Sequence, residues 1–178
     1  TAAVDFAMAR HEKNIDAVLQ QLLILERARI SDLLTAFVAI DSQRGEFSVA
    51  GVEGKFEFVA GNVRLPLRFD RIDSFDDNSI AILDYKTGTK KSLLNRKNEV
   101  QDVQLFVYAS ATDVPVSALA LVNVDSRAVA FDGAGRGYTD PDAWPELLQA
   151  VKADIAAACT DLSNGDVRIN IEQGVKSA

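Results

Sequence analysis

The chain has 178 residues, 48% of them hydrophobic and 25% charged, with a formal net charge of −7. That length suits one domain burying roughly 70% of its unfolded surface, and no apolar run approaches the roughly 20 residues of a membrane span or reads as a secretory signal. The single cysteine, Cys159, excludes an internal disulfide, a four-cysteine zinc site and an iron–sulfur cluster built from this chain alone.

Residues 3–40 are predicted helical, with Val18, Leu19, Leu22, Leu23 and Leu25, then Leu33, Leu34, Phe37 and Val38 near helical spacing. Ser31–Asp32 either caps a second helix or lies inside a continuous one, and Arg44–Gly45 ends the region. From residue 47 the period becomes two: Phe47, Val49 and Gly51, then Phe56 and Phe58, alternate with their neighbours. Gly61–Asn62 signals a hairpin turn. Val63, Leu65, Leu67 and Phe69 form the returning strand, in a strand-like run that reaches Asp73. After a turn at Asp76–Ser79, residues 79–86 form a third strand. Short turns between the three imply an antiparallel meander with Asp70 and Asp84 on adjacent strands.

The third strand carries the chemistry. Ile80-Ala81-Ile82-Leu83 runs into Asp84-Tyr85-Lys86, and side-chain alternation puts Asp84 and Lys86 on one face with Tyr85 on the other. Charges at the end of an apolar strand cost several kcal/mol unless something offsets them. A divalent metal held by Asp70 and Asp84, with Lys86 beside a metal-bound water, offsets that cost and suits phosphodiester hydrolysis. The acidic balance opposes tight phosphate binding, which lysine and arginine drive. Positive charge is nevertheless concentrated locally: Lys86, Lys90, Lys91, Arg96 and Lys97 fall within twelve positions. They read either as a solvated loop face or as phosphate contacts.

Residues 99–112 are predicted helical, followed by strands at 116–125 and 127–132. Gly133, Gly135 and Gly137 mark a loop. They precede a Tyr-Thr-Asp-Pro turn, which argues against a phosphate cradle. Asp140-Pro141-Asp142 starts a last helix that runs to about Ser163, where Asn164–Gly165 stops it. Residues 167–171 are a candidate strand. Cys159 reads as a small core residue, and Trp144 as a packing anchor. The expected organisation is a single domain: a helical part over 1–45, a sheet and helix over 46–132, and a helix and tail over 140–178.

Three blocks in order, Asp70-Arg71-Ile72-Asp73, Asp84-Tyr85-Lys86-Thr87-Gly88 and Gln104-Leu105-Phe106-Val107-Tyr108-Ala109, resemble the series of the PD-(D/E)XK nuclease superfamily, and look like its RecB/AddB-like branch. The resemblance implies a restriction-endonuclease-like α/β fold, a mixed central sheet flanked by helices. It further implies Mg²⁺ or Mn²⁺ bound by Asp70, Asp84 and the backbone carbonyl of Tyr85, with Lys86 acting on the attacking water. Glu53 matches an acidic position that points into the site in this branch, and otherwise reads as a solvent-facing glutamate. Gln104 and Tyr108, four apart on one helix face, would sit beside the catalytic strands, with Lys90, Lys91 and Arg96 as phosphate contacts. Asp73 differs in parity from Asp70 and reads as structural, paired with Arg71.

By the same resemblance the chain is expected to be part of a larger helicase–nuclease protein of the bacterial cytoplasm, an exonuclease acting in DNA recombination and repair on single-stranded DNA fed by a motor domain. Two departures stand out. Leu67 occupies a position where many members carry glycine. The surroundings of His11 do not match the motif of the family's metal-binding histidine. A catalytically silent copy of the fold, holding DNA or a partner subunit, is the first alternative. A metal-binding or protein-interaction module is the second.

Overall fold

The apolar run Ile80–Leu83 becomes the middle of a sheet. A computed structural model describes residues 2–9, 16–140 and 142–166. Its elements are α1 (Ala2–Met8), α2 (Ala17–Asp41), β1 (Ser48–Val52), β2 (Lys55–Ala60), β3 (Val63–Arg68), β4 (Arg71–Ser74), β5 (Ile80–Thr87), α3 (Gln104–Ser110), β6 (Val116–Val124), β7 (Val129–Gly135) and α4 (Ala143–Ser163). Five strands form a mixed sheet in the order β1-β4-β5-β6-β7, and β2 with β3 form a separate two-stranded sheet. All neighbours in the large sheet are antiparallel except β5 and β6. A parallel pair needs a crossover, which the loop after β5 and α3 supply. The architecture is α/β and consistent with a restriction-endonuclease-like fold.

Alternation along β5 divides the core between the two faces of the sheet. Ile80 and Ile82 pack with Leu119, Leu121, Leu105, Phe106 and Trp144 under α3 and α4. Ala81 and Leu83 pack with Ala118, Ala120, Val122 and Leu33 on the face that α2 covers. Trp144 is a packing anchor, as its place at the start of the last helix suggests. Its indole N–H donates to the Val116 carbonyl at 2.9 Å, and its ring lies 6.4 Å from that of Phe106. No described helix is long and apolar enough to cross a membrane.

Several expectations change. The helical region breaks before residue 17, where Asp16 accepts the Leu19 N–H at 2.8 Å as an N-cap, and Ser31–Asp32 lies inside one continuous α2. The meander is interrupted: β1 skips the hairpin and pairs with β4, while β2 and β3 pair only with each other across Gly61–Asn62. The run through Asp73 therefore breaks at Phe69–Asp70. There the Phe69 ring lies against Gly54, where a Cβ would come within 2.1 Å of it. Two hydrogen bonds close the hairpin base, Glu53 N–H to the Asp70 carbonyl (2.8 Å) and Phe69 N–H to the Gly54 carbonyl (3.1 Å).

The helix expected from residue 99 starts only at Gln104, because Leu94 and Val100 form a β-bridge first. Gly133 and Gly135 belong to β7 rather than to a loop. At Gly135 the φ is +91° and a Cβ would meet the Ser117 carbonyl at 2.2 Å, so the close approach of β6 requires glycine. Cys159 is half-buried on α4 and is not a core residue. His11, Pro141 and the 167–171 strand lie outside the described residues.

Candidate active site

The register that pairs Arg71 with Leu83 and Ile72 with Ile82 brings Asp70, one residue beyond β4, opposite Asp84. Both side chains share the face of Ile72 and Ile82, toward α3. Asp70 Oδ2 accepts the Tyr85 N–H at 2.8 Å, and the geometry that turns this N–H to the β4 side turns the Tyr85 carbonyl there too. The Tyr85 ring points to the opposite face, 6.0 Å from Phe37.

Lys86 reaches back along its own strand and across to α3. Its Nζ donates to Gln104 Oε1 at 2.6 Å and lies 2.8 Å from Asp84 Oδ2. The Gln104 amide is oriented in turn by Tyr108, whose hydroxyl accepts from Nε2 at 2.6 Å. Asp84 is 5% exposed. Asp84 Oδ2 is buried, and the partner it faces is the Lys86 ammonium.

The charges explain the protonation preferences. Burial pushes the Asp84 carboxyl above the usual carboxylate range; Lys86 opposes this, while Asp70 and Asp102 reinforce it. Burial pulls on Lys86 in the opposite sense, but Asp84 and Asp102 outweigh it and hold its ammonium above the ordinary lysine value. The two shifts of one ion pair thus diverge. Asp84 is the more buried partner and has two further acids around it, so its negative charge is the one under strain.

Two carboxylates, one of them buried, and a carbonyl on the same strand edge make an oxygen-only set. Such a set fits a hard cation like Mg²⁺, which commonly takes one or two protein carboxylates and keeps several waters. No group of three or more Asp, Glu, His or Cys side chains gathers as a ready cage among the described residues.

The expected residues divide clearly. Asp70, Asp84, Lys86, Gln104 and Tyr108 come together. Glu53 does not: it sits just past β1 with φ +49°, its side chain is 72% exposed, and it pairs with Arg68 at 2.6 Å. That ion pair occupies its carboxylate at the surface, which favours the solvent-facing reading of Glu53 over that of a metal ligand. Lys90, Lys91 and Arg96 lie on the loop between β5 and α3, all three exposed. Asn123 holds this loop by accepting the Lys91 N–H (2.7 Å) and donating to the Lys91 carbonyl (2.9 Å), and Asp132 holds it by accepting the Leu93 N–H (2.8 Å). Leu67 pairs with Phe56 in the hairpin and packs against the core.

Asp102 is the residue the sequence reading missed. It lies 3.7 Å from Lys86 Nζ, and its other oxygen accepts the Gln104 N–H at 3.0 Å, just before α3 begins. Its signal, an acid two residues before Gln104 at a helix start, was hidden inside a stretch that reads as helix.

The other face of the same strands is also charged. Arg71 and Asp73 close a ring with Asp41 and Arg44. Arg71 Nε donates to Asp73 (2.6 Å), Arg71 to Asp41 (2.9 Å), and Arg44 to Asp41 and Asp73 (2.8 Å each). The pairing expected of Asp73 is present and larger than expected. A mostly apolar cavity of about 680 Å³, lined by residues including Leu33, Leu34, Phe37, Tyr85 and Val129, also lies on this side, behind the carboxylates rather than at them.

A family model described as the PD-(D/E)XK nuclease superfamily matches residues 2–173. No curated protein matches the chain. Among solved structures, the crystal structure of SSO0001 is similar over 84% of this chain and 69% of that one, at 14% identity and a TM-score of 0.36, too low a score to carry an argument.

Proposed function

Because the chain belongs to the PD-(D/E)XK nuclease superfamily, we propose that it is a Mg²⁺- or Mn²⁺-dependent deoxyribonuclease with its centre at Asp70, Asp84 and Lys86. One observation carries this reading: a buried Asp84 carboxylate, its charge disfavoured by burial and by neighbouring acids, beside a lysine fixed by Gln104. Such a group is costly to a fold, and costs of this kind cluster at functional sites.

Asp70, Asp84 and the Tyr85 carbonyl would hold the cation, which supplies Lewis acidity and a nucleophilic water when bound. The protein's own groups do the rest. Lys86 orients the attacking water and balances the charge that grows on the phosphate. Gln104 sets the position of the ammonium, and Tyr108 sets the face of the Gln104 amide. Lys90, Lys91 and Arg96 meet backbone phosphates outside the centre, which reconciles nucleic-acid binding with an acidic chain. The three motif blocks further support a RecB/AddB-like exonuclease of bacterial DNA recombination and repair, a domain of a larger helicase–nuclease protein taking single-stranded DNA from a motor domain.

The test is cleavage of single-stranded DNA with Mn²⁺ or Mg²⁺ by the chain and by Asp84→Ala and Lys86→Ala. Each variant is expected to lose on the order of 10²-fold or more. No metal-stimulated cleavage by the unaltered chain would reject the enzyme. DNA binding that survives in both variants, without cleavage by any of the three, would identify a silent copy of the fold.

A further inference from the structure

Lys86 stands between two acids, and the proposed chemistry uses only one of them. Its Nζ is 2.8 Å from Asp84 Oδ2 and 3.7 Å from Asp102 Oδ2, with Gln104 Oε1 at 2.6 Å. Asp102 is not a loose surface acid. Its side chain is 20% exposed, and its other oxygen, Oδ1, is tied to the Gln104 N–H at the start of α3. Lys86 now faces the buried Asp84 oxygen, Oδ2. A divalent cation on Asp84 would therefore sit beside the ammonium, and like charges so close repel strongly in a partly buried site.

We propose that Asp102 is a positioning residue for this centre, the counter-ion to which Lys86 moves when a divalent cation engages Asp84. Gln104 is the pivot, since its amide oxygen stays in contact with the ammonium while Lys86 swings from one acid to the other. The gap to Asp102 is small enough for a side-chain adjustment, with no backbone shift. Lys86 thereby keeps a balanced charge and stays beside the reacting phosphate. The inference rests on Asp84 as a cation ligand, as set out above.

Binding of Mn²⁺ alone, without DNA, tests it, with free Mn²⁺ followed by electron paramagnetic resonance. The proteins are the unaltered chain, Asp102→Asn, Lys86→Met, the double variant and Asp84→Ala. Asparagine keeps an oxygen for the Gln104 N–H, so the helix start is preserved. With Lys86 present, Asp102→Asn is expected to weaken Mn²⁺ binding about 10-fold, the lower range for a residue supporting a metal ligand. In the Lys86→Met background there is no ammonium to relocate, so the same change should shift binding less than about twofold. Lys86→Met alone should tighten binding. Equal weakening in both backgrounds would mean that Asp102 acts only through its field, and would overturn the counter-ion exchange, as would no weakening in either. If the unaltered chain binds no Mn²⁺ that depends on Asp84, the cation site itself falls and this inference with it. Asp84-dependent binding without coupling between Lys86 and Asp102 overturns this inference alone.

Discussion

Strands β4 and β5 carry charged groups on both faces, built on opposite plans. Toward α2, two arginines and two aspartates close a ring in which Arg44, Arg71, Asp41 and Asp73 satisfy one another. Toward α3, Asp84 and Asp102 flank Lys86, and the charge of Asp70 adds to the acid around Asp84. Asp70 and Asp73 are three residues apart, yet parity sends them to different faces and different roles. Where charge is balanced and saturated it fastens α2 to the sheet. Where acid is in excess, the proposed cation would balance it.

The sharpest way to break that contrast is to open the ring. Asp73 is fully buried, and Asp73→Ala leaves two arginines short of a partner, an expected loss of about 3–5 kcal/mol in urea denaturation. Cleavage per folded molecule should persist. A loss below about 1 kcal/mol would mean that the ring does not fasten anything.

Asp84→Asn should do the reverse, raising stability in the absence of divalent cation while removing cleavage. The sign follows from the carboxyl's raised folded value. Its contribution favours folding below the unfolded value near 4 and is lost as pH rises through the folded one, so at neutrality the ionised group is a burden. The stability gap between variant and parent should narrow as pH falls from 7 toward 4. A variant less stable than its parent at pH 7 would show that the Lys86 pair outweighs burial.

Gln104→Ala tests the support under Lys86, with an expected fall of about 10-fold in cleavage and little change in denaturation midpoint. Unchanged cleavage would show that Lys86 needs no such anchor. Glu53→Ala should be nearly silent, since exposed ion pairs contribute roughly 0.2–1 kcal/mol, with cleavage within about twofold. A tenfold loss of cleavage would return Glu53 to the centre.

What the residues disclosed in advance was local. The β5 strand, the parity of Tyr85, the Gly61–Asn62 turn, the link from Asp73 to Arg71 and the shared face of Gln104 and Tyr108 follow from periods of two and four. The rest depends on contacts distant in sequence. Arg44 meets Asp73 29 residues away, and no pattern within a helix announces it. Pairing of β1 with β4 across an intervening hairpin is equally non-local, because adjacent apolar runs look like a meander from inside the sequence. Asp102 escaped because the apolar residues around it fit a helix, while the Leu94–Val100 bridge and its own bond to the Gln104 N–H delay that helix to Gln104. Glu53 escaped because its left-handed backbone is a property of the turn.

The closed base of the β2–β3 hairpin has an architectural consequence. Phe69 against Gly54 and the two backbone bonds beside them act as a clasp just before Asp70. Between residues 54 and 69 the chain leaves the large sheet as a hairpin, which turns Phe56, Phe58 and Leu67 inward and carries Gly61–Asn62 at its tip. Lengthening a loop costs free energy only logarithmically, so the hairpin tip is a natural splice point where segments could be grafted while Asp70 keeps its place. The same clasp makes Gly54 intolerant of any side chain, tying the seat of an acid to a glycine well upstream of it.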